Sequence, residues 1–165
     1  MEKKPVAMSE QQALLRLTTL CMRGEHCQQE MVDKMKRWQL PDEAIARNMQ
    51  FLVEKKFVDD SRFVRAFIRD KLTYNKWGRR KIEQALWQKR IPRTLSDPVF
   101  AEIEGTQYEE TLLPLLRAKW PSVKARSDYE RSQKLIRFAL GRGYDYDVVR
   151  RCMEQLGQFC DEADD

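Results

Sequence analysis

Three sets of side chains in this chain have the types that chemistry needs. The first is Asp59-Asp60, a carboxylate pair that could move a proton. General acid–base work needs a second titratable group within reach, and the chain has one histidine, His26, in a loop beside Gly24. Helix capping accounts better for the pair, because an Asp ahead of a helix accepts hydrogen bonds from its unpaired N–H groups. The second set is Cys21, His26 and Cys27, which lack the CxxC pattern and the ligand spacing of a zinc site. With Cys152 and Cys160 they are expected to be reduced and metal-free, because no export signal is visible. No Gly-rich phosphate loop of the Walker or dinucleotide type occurs. The expectation is a non-enzymatic protein without a cofactor.

The third set is larger. Between Arg62 and Arg93, eleven Lys/Arg face only Asp70 and Glu83, a local balance of +9 in a chain of net charge +5. Charge concentrated in this way suits a polyanion or an acidic protein surface. Arg62, Arg65 and Arg69 recur at three and four residues, so one helix face can present them together. Lys76, Arg79, Arg80 and Lys81 cluster around Gly78 at the opening of the next helix, where free N–H groups also favour an anion. Lys89 and Arg90 follow at its end. Trp77 has two readings, a ring that stacks on a base or partner and a core side chain. Farther on, Arg131, Lys134 and Arg142 stand in a second basic stretch that Asp128, Glu130, Asp145 and Asp147 partly offset. These thirteen residues are the candidate contacts to DNA or a protein partner. Replacing Arg79 and Arg80 with Glu is expected to weaken binding and spare the fold.

The elements that must position these residues read as helices. A hydrophobic fraction of 42% and a charged fraction of 35%, with six Gly and six Pro, suit helices with wet outer faces. No apolar run approaches the ~20 residues of a membrane span. The opening MEKKPVAMSEQQ has no continuous apolar stretch, so the expected compartment is the cytoplasm. A landmark recurs about every fifty residues, a period typical of helical arrays. Met31 and Met35 lead to Leu40-Pro41, Ile82 and Leu86 to Ile91-Pro92, and Leu135 and Ala139 to Tyr144-Asp145.

Ser9 and Gln12 form a capping box for a first helix carrying Leu14, Leu17, Thr18 and Cys21. A second helix from near Cys27 buries Met31, Met35 and Trp38. A third, with Pro41 in its first turn, buries Ile45, Met49 and Leu52. Asp59 or Asp60 caps a fourth with Phe63, Ala66 and Phe67 inward. Gly78 precedes a fifth with Ile82 and Leu86 inward, and Asp97-Pro98 starts a sixth. Pro114 starts or kinks a seventh, and 121–127 is a loop. An eighth buries Leu135, Phe138 and Ala139 and ends at Gly141 or Gly143. Asp145 caps a ninth with Val148, Val149, Cys152 and Leu156. The expectation is an all-α protein: three tandem three-helix repeats, residues 9–56, 57–105 and 106–160, in an elongated, curved, monomeric array. A mobile acidic tail, 161–165, follows.

These motifs, in this order, resemble a known family. FVDDSRFVRAFIRDK followed by GRRKIEQALWQKRIP is similar to the centre of RecX, the family of bacterial modulators of the RecA recombinase. Asp59, Asp60 and Phe63 match its aspartate pair and following Phe. Gly78, Arg79, Arg80, Ile82, Leu86, Lys89, Ile91 and Pro92 match its later hallmark. Arg23, His26, Cys27, Glu30 and Met31 match an upstream Arg-x-x-His-Ser-x-x-Glu-Leu pattern, with Cys27 where the family has a capping Ser. LGRGYDYDVV, with Arg142-Gly143-Tyr144, resembles the third repeat. The resemblance implies tandem three-helix repeats that bind along the recombinase–DNA filament. It further implies inhibition of filament growth, ATPase, strand exchange and coprotease activity in DNA repair and the SOS response. The rival reading is an autonomous DNA-binding protein of helix-turn-helix type, with the helix after Gly78 as reader.

Overall fold

The structure, a computed structural model, describes the backbone of residues 8–163 and side chains as far as Gly157. Among the described residues the chain forms nine α-helices, one 3-10 turn and no strand. They are α1 (Glu10–Arg23), α2 (Gln28–Arg37), α3 (Asp42–Glu54), α4 (Asp60–Thr73), α5 (Arg79–Gln88), α6 (Arg93–Glu102), α7 (Gly105–Lys119), α8 (Asp128–Gly141) and α9 (Tyr146–Ala163), with the 3-10 turn at Trp120–Ser122. Each successive trio encloses its own apolar cluster. Leu17, Met31, Met35 and Leu52 anchor the first, Phe63, Ile68, Ile82 and Phe100 the second, and Leu112, Leu135, Tyr144 and Val149 the third. Small cores in series leave more surface than one large core. The chain exposes 11,418 Å² at 19.7 kDa, against about 8,600 Å² expected of a compact monomer of that mass.

The recurring landmark is one helix ending used three times. Leu40 N–H donates to the Met35 carbonyl at 3.1 Å, Ile91 N–H to Leu86 at 3.1 Å, and Tyr144 N–H to Ala139 at 3.3 Å. The residue before each donor is left-handed: Gln39 (φ 62°), Arg90 (φ 56°) and Gly143 (φ 95°). This is the Schellman ending, in which a hydrophobic contact joins the residue past the turn to the last helical turn. It explains why the apolar spacing is so regular.

Ser9 and Gln12 form the expected capping box. The aspartate pair divides its work across two repeats. Asp59 caps α4 by accepting from Ser61 and Arg62 N–H at 2.9 and 3.2 Å. Asp60 reaches back and accepts from the Gln28 N–H at 2.9 Å, at the start of α2. It thereby serves the helix end that Cys27 leaves without a side-chain cap.

Several inward faces differ from expectation. Ala13 is fully buried where Leu14 is only half-buried, one position around the same stripe. In α4, Val64 and Ile68 are buried while Ala66 and Phe67 are half-buried, because the helix packs most extensively on α6. Met49 and Phe138 also lie half-buried at the margins of their cores. Helix α6 starts at Arg93 after Pro92, so Asp97 and Pro98 lie inside it. Pro114 likewise lies inside an unbroken α7. Cys27 crosses the repeat boundary into the second core. Helix α9 runs to Ala163 and takes in the first residues of the segment read as a tail; Asp164 and Asp165 lie outside the described residues.

Candidate functional site

Most of the middle repeat's cations have partners, and the partners come largely from neighbouring repeats. Arg62 donates through Nε to Glu25 at 2.5 Å and through Nη2 to the Lys56 and Phe57 carbonyls. Arg65 forms a two-pronged pair with Glu102 at 2.8 and 3.1 Å. Lys89 donates to Glu30 at 2.8 Å, and Arg80 to Asp145 at 2.7 Å. Arg79 pairs with Glu83 one turn on, and its guanidinium lies 4.9 Å from the centre of the Phe100 ring. Four carboxylates from outside the 62–93 stretch therefore oppose its excess charge.

The opening of α5 is a joint rather than a free end. Gly78 N–H donates to the Arg142 carbonyl at 2.8 Å and Arg80 N–H to the Gly143 carbonyl at 3.0 Å. A Cβ on Gly78 would stand 2.3 Å from the Tyr144 nitrogen, and one on Gly143 2.4 Å from the Lys81 Cβ. Arg142 turns inward, donating to the Asn75 and Lys76 carbonyls, and the Tyr144 hydroxyl also donates to Lys76 at 2.9 Å. These contacts hold Lys76 in a left-handed conformation. Arg142 is thus a clamp between repeats. Arg80 pairs across this joint with Asp145 and Arg79 pairs with Glu83, so the double Glu replacement at Arg79 and Arg80 would set like charges against each other here.

Trp77 is half-buried against the second core, with Lys81 and Lys71 at 4.6 and 4.9 Å from its ring centre. Its surroundings favour the core reading. In the third repeat, Arg131 packs on Trp120 at 5.2 Å and lies 3.7 Å from Asp128. Lys134 donates to the Lys124 carbonyl at 2.6 Å and faces Glu130. Of the thirteen candidates, only Arg69, Lys76 and Arg90 have exposed side chains without an acidic partner among the described residues. Arg93 joins them. It belongs to the same basic stretch but is not among the thirteen candidates.

A second missed residue is Trp87, 76% exposed. It lines a shallow groove between α5 and α6 with Arg80, Arg93, Ser96 and Asp97. Its position one residue after the inward Leu86 was the available signal.

The thiols are placed apart. Cys27 lies in the second core, Cys21 packs on the first and His26 pairs with Glu30 at 2.7 Å. Burial pushes the Cys27 and Cys152 thiols up to about 11 and raises Cys21 as well. None is poised as a thiolate nucleophile. No cluster of three or more possible metal ligands occurs among the described residues. No helix among them is long and apolar enough to cross a membrane.

Comparison with known proteins gives consistent results. Residues 59–97 match the family model described as RecX, second three-helix domain, and residues 107–153 the one described as RecX, third three-helix domain. A regulatory protein RecX of Clostridium botulinum is 28% identical over 80% of this chain, which spans 62% of that relative's length. One of Chlorobium limicola is 28% identical over 81% of this chain and 82% of its own. The crystal structure of RecX from Lactobacillus salivarius superposes with a TM-score of 0.77 at 14% identity, over 90% of this chain and 97% of that one. A second RecX crystal structure superposes with a TM-score of 0.79 at 18% identity, over 88% and 73%. At these identities the solved structures speak for the fold. With two family models in register on the second and third repeats, the chain belongs to the RecX family.

Proposed function

We propose that this protein binds a RecA-type recombinase filament on DNA and modulates it by occupancy, mostly as an inhibitor of filament growth, ATPase and coprotease activity. The observation that carries the reading is a set of cations in the middle repeat left without acidic partners: Arg69, Lys76, Arg90 and Arg93. Arg62, Arg80 and Lys89 join repeat to repeat and help hold the array that presents these four. The protein acts as a cytoplasmic monomer, and no step of this mechanism requires bond-making by the protein. The helix-turn-helix alternative is weaker. A reading helix inserts its N-terminal residues into the major groove, and the start of α5 is tucked against the turn at 142–144.

The test is recombinase ATPase on single-stranded DNA, titrated with this protein. Wild type should lower the rate. Combined Arg69→Gln, Arg90→Gln and Arg93→Gln should need several-fold more protein for the same effect. No effect of wild type at any concentration would refute the reading.

A further inference from the structure

The groove between α5 and α6 joins an exposed aromatic ring to an unpaired guanidinium group, and a second stands in the adjoining turn. Trp87 is 76% exposed on the last turn of α5. Arg90 follows in the turn, where its N–H donates to the Trp87 carbonyl at 2.9 Å, fixing the turn against the end of α5. Arg93 opens α6 and lines the groove beside Trp87. Neither arginine has an acidic partner among the described residues. The groove does contain two acids, Glu83 and Asp97, but Glu83 is paired with Arg79, and Asp97 also acts electrostatically on Arg79.

The same helix ending in the other repeats gives a comparison. Where α5 has Trp87, α2 has Lys36 and α8 has Leu140; where α6 has Arg93, α3 has Asp42 and α9 has Tyr146. In the third repeat Arg142 is engaged with the Asn75 and Lys76 carbonyls and Arg150 with Glu154, and no tryptophan stands at the corresponding position. Among the described residues, only the middle repeat sets an exposed indole beside unpaired arginines. Trp77, the other tryptophan of that repeat, already has two lysines against its ring.

A flat aromatic face beside cations that no protein acid has claimed is the arrangement that binds single-stranded nucleic acid, the ring stacking on a base and the arginines meeting phosphates. We infer that Trp87, Arg90 and Arg93 form a contact site for single-stranded nucleic acid, with Trp87 as the base-stacking platform. This deepens the filament reading, on which it rests for its setting, by naming the strand itself as the occupant.

The test uses the full chain and a fluorescently labelled oligo-dT, read by anisotropy and by quenching of tryptophan emission. Trp87→Ala should weaken binding by roughly 5- to 150-fold, the range for loss of one stacked base, and should abolish most of the quenching. Trp87→Phe should restore part of the affinity. Arg90→Gln with Arg93→Gln should lower the slope of log affinity against log salt by about 0.7 per lost contact while keeping the residual quenching. Circular dichroism checks that each variant folds. Unchanged affinity and quenching in Trp87→Ala would overturn the inference. So would a wild type that inhibits the recombinase yet binds no oligonucleotide, an outcome that leaves the filament reading standing. If wild type binds oligo-dT through Trp87 and does not touch the recombinase ATPase, the filament reading fails and the strand site stands.

Discussion

Replacing Gly78 with Ala should cost far more stability than a one-methyl change at a helix end suggests. Gly78 has φ −83° and ψ 170°, a conformation any residue adopts. Its constraint is steric rather than conformational. The added Cβ would meet Tyr144 N at 2.3 Å, Gly143 C at 2.4 Å and Gly143 O at 2.5 Å, all backbone atoms that cannot rotate away. The joint between the second and third repeats must open. Opening removes the Gly78–Arg142 and Arg80–Gly143 hydrogen bonds, at about 1 kcal/mol each. Misfit in the packed joint adds about 1–3 kcal/mol. The stiffer unfolded chain returns about 1 kcal/mol. The expected net loss is about 2–4 kcal/mol. With a urea m-value of about 2 kcal/mol/M, the unfolding midpoint falls by about 1–2 M, read by circular dichroism. Gly157→Ala is the matched control. It lies inside α9 with nothing within 4 Å of the new Cβ, and it should stabilise by about 0.5–1 kcal/mol. A Gly78→Ala protein within 0.5 kcal/mol of wild type would refute the account of the joint.

Three further outcomes are expected. Arg90→Gly relieves a left-handed non-glycine residue and should raise stability by about 0.5–1 kcal/mol in the same urea assay, while weakening oligonucleotide binding. Asp60→Ala removes the bond that caps α2 from the neighbouring repeat and should cost about 1 kcal/mol, checked by thermal unfolding. Glu30 concerns pH: burial opposes its charge, yet hydrogen bonds from Lys89 and His26 outweigh that and hold its carboxyl below the ordinary 4.5. A depressed carboxyl stabilises the fold above the unfolded value and loses that contribution as pH falls through the folded value. Stability should therefore drop below about pH 4.5, and Glu30→Gln should be less stable at pH 7 with a flatter acid limb, seen in urea melts across pH 3–7.

The helices and their endings were legible because each is written in a short window. A capping box spans four residues, and the Schellman ending carries its own hydrophobic pair, so Met35–Leu40, Leu86–Ile91 and Ala139–Tyr144 could be read without knowing what lay around them. The inward face of α4 was less legible. It packs on α6, and a basic helix with apolar residues at 63, 64, 66, 67 and 68 does not declare which pair points in. The pairing of charges was less legible for a related reason. The excess in 62–93 is real along the chain, but Glu25, Glu30, Glu102 and Asp145 approach it through space. A cation tied to a distant carboxylate looks the same in sequence as a cation facing solvent.

That difference separates two roles within one basic stretch. Arg62, Lys89, Arg80 and Arg142 tie one repeat to the next, through carboxylates or backbone carbonyls. A pair of exposed charges is worth little, about 0–1 kcal/mol, so these ties set orientation more than they supply stability. Orientation is what a serial array needs, because each small core fixes mainly its own three helices. The cations left over, with Trp87 among them, are then held at positions that the joints determine. A variant of the first group should change how the repeats are set against one another, and with it the binding of long substrates. A variant of the second should weaken binding to short and long strands alike. Comparing Lys89→Gln with Arg93→Gln on oligonucleotides of about 10 and 40 nucleotides tests this division: loss restricted to the long strand is expected for Lys89 and equal loss on both for Arg93. Equal losses from both variants on both strands would mean that joints and contacts are not separate.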